Sequence, residues 1–318
     1  MPDKTHPSPS TRARELVAGG YDLHVHVAPD VINRRIDDIP LAGRFRDEGM
    51  AGFVLKSHYN PTAERASVVR KAVPGIDVLG AVTLNGSVGG MNPVAVEIAA
   101  RSGARVVWFP TVDAINQRNS RAADPPGATP APWAALQDEL VAQGIEAPPV
   151  YVLDAGGQVL PEVRQVLSLI ARHDMVLATG HLSRAEILAV TAAASEAGVR
   201  RIIITHPEFT SQRLPVSEQA ELAGRGAMLE RCFTTPYTGK VSWETMLENV
   251  RAVGPQHSFL SSDLGAPAGP PVEDGLALMA DFLLKAGFSE EDVRTMAVAN
   301  TRALAAAPQA RAAETPAP

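Results

Sequence analysis

Tyr21-Asp22-Leu23-His24-Val25-His26-Val27 alternates polar and apolar side chains with the period of a β-strand. Residues two apart in a strand share a face. Asp22, His24 and His26 therefore point one way, and Leu23 and Val25 point the other way, toward covering helices. Two imidazoles near the end of one strand face can chelate a single ion, and a neighbouring carboxylate can orient one of them from behind. Read alone, the pair is equally what two partly exposed histidines at a strand end would look like, because so short a spacing recurs without function.

Outward from this stretch, short β-branched runs alternate with longer amphipathic ones. The strand-like runs are Tyr21 to Val27, Gly52 to His58, Val78 to Leu84, Arg105 to Thr111, Met175 to Thr179, Arg201 to Thr205, Ala227 to Phe233 and Ser258 to Ser262. Helical stretches fall between them at Leu41 to Glu48, Ala63 to Lys71, Pro93 to Arg101, Pro161 to Arg172, Arg184 to Ala197, Val216 to Ala223 and Ser242 to Val253. Ser183-Arg-Ala-Glu186 has the pattern of a capping box, and Gly49, Gly103 and Gly198 stand where helices should end. Eight strands alternating with helices spell an α/β fold, a (β/α)8 TIM barrel. The rhythm breaks between Ala114 and Pro149, where Asp124-Pro125-Pro126-Gly127 and Pro130-Ala131-Pro132 mark a long insertion after strand four. Val150 to Leu160, with Asp154-Ala155-Gly156-Gly157 at its centre, reads as a β-hairpin. The whole excursion, 114 to 160, belongs at the C-terminal face of the barrel, as a lid or specificity loop.

Composition narrows the classes further. The chain has 318 residues, 45% of them hydrophobic and 20% charged, which suits a soluble globular protein with a sizeable core. The formal charge is -6 and the 29 Lys and Arg are scattered, so neither a nucleic acid nor a membrane surface is an expected partner. Cys232 is the single cysteine, which excludes an intrachain disulfide and a Cys-based zinc site, so any metal is expected on His and carboxylates. No signal-peptide h-region or membrane-length apolar run is present, so a cytoplasmic location is expected. Residues 1 to 12 and 305 to 318 carry few large apolar side chains and are expected to be disordered ends around one domain, 13 to 304. A small-molecule substrate is the expected partner, and a homo-oligomer is left open.

The other ligand-type residues recur where further strands end. His181 follows the fifth run, His206 the sixth and Asp263 the eighth. In a closed parallel barrel these ends converge on one mouth, within reach of one ion. Three or four imidazoles with a carboxylate suit Zn2+ first, with Fe2+ and Mn2+ as alternatives. His6, His173 and His257 lack such placement and are read as surface residues.

In this order of residues the sequence resembles the amidohydrolase superfamily, metal-dependent TIM-barrel hydrolases with HxH on strand one, His on strands five and six and Asp on strand eight. The resemblance spans residues 21 to 265. It implies that His24, His26 and Asp263 bind the metal, that His181 and His206 are further ligands or substrate contacts, and that Asp263 is the general base. The chain departs from the family on strand four, where Val106 to Thr111 offers neither the usual lysine nor glutamate. That leaves one ion or two open. Lys56 and Glu230 are the candidate substitutes, with a salt bridge for Lys56 and a supporting role for Glu230 as the plainer readings.

The expected chemistry is attack of metal-activated water on an amide, cyclic amide, lactone or ester. Lys56, His58 or His206 would stabilise the oxyanion, and Arg34, Arg35 or Arg65 would hold a substrate carboxylate. Non-oxidative decarboxylation on the same site is the rival enzyme reading. A barrel that binds without catalysis is the rival from another class.

Overall fold

Each expected strand-like run forms a strand in the computed structural model, which describes residues 6–121, 132–145 and 147–308. The strands are β1 (Tyr21–Val25), β2 (Gly52–Leu55), β3 (Asp77–Thr83), β4 (Ala104–Trp108), β5 (Val176–Ala178), β6 (Arg201–Ile204), β7 (Met228–Cys232) and β8 (Ser258–Ser261). They pair in parallel, in sequence order, as one sheet of eight. Just past β8 the sheet meets β1 again: the Asp263 amide donates to the His24 carbonyl and the His26 amide to the Leu264 carbonyl, both at 2.8 Å. The result is a nearly closed (β/α)8 barrel.

The interior is filled by side chains that include Leu23, Val54, Val106, Trp108, Ile203 and Phe259. Val25, Phe53 and Leu55 face outward against Leu41 and Phe45 of helix α2 (Asp38–Asp47), which follows α1 (Thr11–Val17). Leu23 is therefore on the inner side, contrary to the simple alternation. The pairing of β1 with β2 shifts between Asp22 and Val25, and an irregularity of this kind puts two successive side chains on one face.

The covering helices continue with α3 (Ala63–Ala72), α4 (Pro93–Arg101), α5 (Ile115–Arg121), α6 (Pro132–Ala142), α7 (Pro161–Arg172), α8 (Arg184–Glu196) and α9 (Val216–Gly224). Then come α10 (Thr234–Tyr237), α11 (Trp243–Val253), α12 (Gly275–Lys285), α13 (Glu290–Arg294) and α14 (Asn300–Ala305). In α7 the residues Val163, Val166, Leu167 and Ile170 are buried, an i, i+3, i+4, i+7 stripe. Ser183 and Glu186 form the reciprocal capping box at the start of α8.

The excursion after β4 is not one long loop. It carries α5 and α6, and the expected hairpin is a short one, joined by a single antiparallel bridge between Leu153 and Val159. Asp154 Oδ1 tightens its turn by accepting the amides of Gly156 and Gln158, each at 2.8 Å. Asp124 to Gly127 and Pro130-Ala131 lie outside the described residues, as do residues 1–5 and 309–318 of the expected loose ends. Residues 6 to 12 are corrected, because Ser10 caps α1 and bonds Asp281 at 2.7 and 2.8 Å, and Arg12 pairs with Glu290. At the other end, α14 carries Leu304 and Ala305 into the core.

Candidate metal centre

The β1, β2 and β4 runs stop as strands before their sequence patterns do, and the remaining residues turn into the barrel mouth. His26, Lys56 and His58 sit just past such ends, as do His181, His206 and Asp263 past β5, β6 and β8, while His24 and Glu230 are still within β1 and β7. The eight side chains converge on one chamber. All are buried except Asp263, whose side chain keeps 22% of its surface accessible.

Asp263 Oδ1 lies 3.0 Å from His24 Nε2 and 3.2 Å from His26 Nε2. These three ligand atoms could hold one metal ion. The rings of His181 and His206 are 5.1 Å apart, and that of His206 is 6.3 Å from His24. The Nδ1 atoms of His181 and His206 are buried with no hydrogen-bond partner among the described residues. A buried polar atom left unpaired calls for an explanation, and a nitrogen and oxygen donor set completed by these two imidazoles fits a divalent ion.

Glu230 organises the chamber from behind. Its Oε1 accepts from His24 Nδ1 at 3.0 Å and from the Ser261 hydroxyl at 2.9 Å, and its Oε2 accepts the His206 amide at 3.3 Å. Asp22, which the strand alternation placed beside the imidazoles, has a different task. Its Oδ1 accepts the amides of His24 at 3.2 Å and Ser262 at 3.0 Å, tying β1 to β8. The carboxylate behind the histidine therefore comes from β7 rather than from β1.

Strand four presents Trp108 where a bridging lysine or glutamate was sought. Its ring lies 4.6 Å from that of His24, and the Lys56 ammonium sits 4.1 Å above it. Lys56 Nζ is 2.7 Å from His24 Nε2, so the salt bridge expected as its plainer reading gives way to a contact inside the chamber. The His58 ring lies tilted, 4.9 Å from that of His26, and meets Thr111 Oγ1 at 2.9 Å. Of the three arginines, Arg34 reaches the site, with Nη2 3.3 Å from His26 Nδ1 and Asp30 steadying it at 2.7 Å. Arg35 is spent on the Pro267 and Gly269 carbonyls, and Arg65 on Asp38 and the carbonyls of residues 27 to 29. Thr234 was not foreseen; its hydroxyl donates to Asp263 Oδ2 at 2.8 Å. It follows the seventh run as the other site residues follow theirs, and that position was the one available signal.

Burial decides most of the electrostatics. It pushes His26, His58 and His181 well below the usual histidine value and His206 down to about 4. It also lowers Lys56. Burial works against ionisation of Asp263 and Glu230 too, yet the facing His24, with His26 beside Asp263, overrides it and holds both carboxyls below their ordinary range. His26, His58, His181 and His206 are thus neutral beside ionised carboxylates, as metal ligands must be. His24 is the exception, since burial pulls it down but the facing Asp263 and Glu230 raise it above the usual histidine value, so an ion bound there displaces a proton. Two residues here have left-handed backbone, His206 at φ 25° and Asp263 at φ 52°. Such strain concentrates where side-chain placement matters more than local stability.

No curated protein sequence matches the chain. Among solved structures it is similar to an amidohydrolase from Pseudomonas aeruginosa, with a TM-score of 0.58 and 12% identity over 92% of this chain and 98% of that one. A dipeptidase described as a metallopeptidase gives 0.57 and 13% over 91% and 98%. A 2,6-dihydroxybenzoate decarboxylase gives 0.53 and 12% over 90% and 99%. At these identities the likeness establishes the shared barrel fold. A family profile matches residues 19–230, about two thirds of the chain and the stretch that carries every site residue except Thr234 and Asp263, so the protein belongs to DUF6282, a family of unknown function.

Proposed function

We propose that this protein is a metal-dependent hydrolase of a small molecule, with its ion held by His24, His26 and Asp263 and completed by His181 and His206. The approach of Asp263 Oδ1 to within 3.2 Å of both Nε2 atoms, across the seam where the barrel closes, carries this reading. Zinc is the first choice for such a donor set. A divalent ion there supplies Lewis-acid activation of water and of the scissile carbonyl.

The chain's own residues do the rest. Glu230 accepts a hydrogen bond from the Nδ1–H of His24, which fixes the tautomer and turns the Nε2 lone pair into the chamber. Asp263 stays ionised at neutral pH and receives the proton of the attacking water, while Thr234 steadies its other oxygen. Lys56 is suited to stabilise charge on the carbonyl oxygen, with His58 as a second donor, and His206 would take that role only where it does not ligate the ion. Arg34, at the lip of the chamber, is suited to a substrate carboxylate. The test is a panel of amides, cyclic amides, lactones and esters offered to the zinc-loaded protein. Turnover that chelation removes and zinc restores is expected; no turnover of any member contradicts the reading.

Trp108 in the strand-four position favours one second reading, non-oxidative decarboxylation, since no bridging ligand is available there for a second ion. The likeness to a decarboxylase supports it at the level of the barrel. Release of CO2 from aromatic or unsaturated acids, without cleavage of amides or lactones, would put it first.

A further inference from the structure

Beside the chamber, the loop after β3 and the excursion after β4 enclose a cavity of about 660 Å3, walled by side chains that include Met91, Leu136, Leu140, Ile145, Val150 and Leu160. This volume lies within the range of small-molecule sites, and the lining is of the apolar kind typical of them. Its place in the fold ties it to the histidines. Tyr59 lines the cavity and stands edge-on to His58 at 6.1 Å, and His58 in turn lies 4.9 Å from His26. Asp113, also in the wall, shares a hydrogen-bond net with His58: Asn85 Oδ1 accepts the amides of Thr111 at 2.8 Å and Asp113 at 3.3 Å, and Thr111 Oγ1 meets His58 Nδ1 at 2.9 Å. Tyr59 and then His58 thus stand between the cavity and the candidate ligand His26.

Two features say what would enter. The Tyr59 hydroxyl is buried without a hydrogen-bond partner among the described residues. It is a donor that a bound molecule would satisfy. The carboxylates in the lining are Asp113 and Glu162, and no lysine or arginine is among the lining residues. Asp113 is already engaged by the Gly86 amide, Arg118 and Gln137. An anionic end would face Glu162 and find no cation among the described lining residues, since Arg118 is held by Asp113 behind the wall.

We propose that this cavity is the subsite for an uncharged, apolar alkyl, acyl or aryl group of the substrate, with the Tyr59 hydroxyl bonding the first polar atom next to that group. This rests on the hydrolase reading of the adjoining chamber and names the substrate class that reading leaves open. The scissile bond would lie on the histidine side of Tyr59 and the apolar group under α6.

The test separates the two claims. N-phenyl-1-naphthylamine, a neutral apolar fluorophore, is titrated into the full chain, and p-nitrophenyl esters of increasing acyl length are then compared as substrates. Saturable probe binding is expected. It should weaken by about tenfold in both Leu136→Trp and Leu140→Trp, which fill the space from half-buried positions one turn apart on α6. The gain in kcat/KM with acyl length should flatten in the same variants, whose folding is checked by circular dichroism. No probe binding by the unsubstituted protein, or binding that both tryptophans leave intact, overturns the subsite. Probe binding lost in both variants, with no ester cleaved, upholds the subsite and counts against the hydrolase. Ester cleavage indifferent to acyl length, with no probe bound, does the reverse.

Discussion

Both ring nitrogens of His24 are engaged, Nδ1 by Glu230 and Nε2 by Asp263 and Lys56. A histidine held in this way can offer Nε2 to a metal only while an acceptor stands behind Nδ1. Glu230→Ala is therefore expected to weaken zinc binding about 10- to 100-fold in competition with a chelator, with Glu230→Gln recovering part of the loss because its amide oxygen still accepts. Unchanged affinity in Glu230→Ala would show that the carboxylate is not needed. Lys56→Ala should keep the metal and lose about 100-fold in kcat on any ester or amide the protein cleaves, as removal of an oxyanion donor does. Acid stability follows from the same residues in the metal-depleted protein. His26, His58, His181 and His206 are all lowered by burial, His206 to about 4. In the unfolded chain they titrate near about 6.5, so on the acid side of that value unfolding takes up protons that the fold refuses. Stability is full above about pH 6.5 and falls as pH drops toward 4. Asp22, pushed up to about 6 by burial, and His24, which burial lowers but Asp263 and Glu230 raise above its usual value, work in the opposite sense, two groups against four. A Tm in chelator that does not change between about pH 7 and about pH 5 would contradict this.

At the scale of elements, the C-terminal strand ends do the positioning, and their backbone conformations are part of it. Gly180 precedes His181 at φ 63°, and a Cβ there would come within 2.4 Å of the Phe109 carbonyl oxygen. Gly180→Ala should cost about 1–3 kcal/mol in urea denaturation and reduce the zinc retained, because it shifts His181; wild-type stability and metal content would refute that. The strand ends were legible in the sequence because ligand-type residues recur at the C-terminal ends of β1, β5, β6 and β8. Other parts were not. Leu23 turned inward because β1 shifts register at Asp22, a local event that a period of two cannot register. In α12, Leu276 to Ala280 are all buried, so no polar face exists for a 3.6-residue period to reveal. Glu230 as the partner of His24 was hidden because the contact joins β7 to β1, and sequence spacing carries no information about which carboxylate faces which ring.

Over the whole molecule, the candidate metal centre and the closure of the barrel coincide. His24 and His26 come from one side of the seam and Asp263 from the other, and the same stretches exchange the backbone bonds that join β1 to the end of β8. An ion bound here would fasten the first strand to the last. Metal should therefore stabilise the fold by linkage: chelation should lower Tm, zinc should restore it, and His24→Ala should abolish the difference, whereas equal Tm values with and without metal would separate the centre from the fold. Zinc content per chain, measured by elemental analysis on protein purified from metal-supplemented medium alongside His24→Ala and Asp263→Ala, reaches the central claim most directly. About one ion per chain is expected in the unsubstituted protein, with nearly all of it lost in His24→Ala and a larger fraction kept in Asp263→Ala. No stoichiometric metal in the unsubstituted protein, or equal metal in all three, would contradict it.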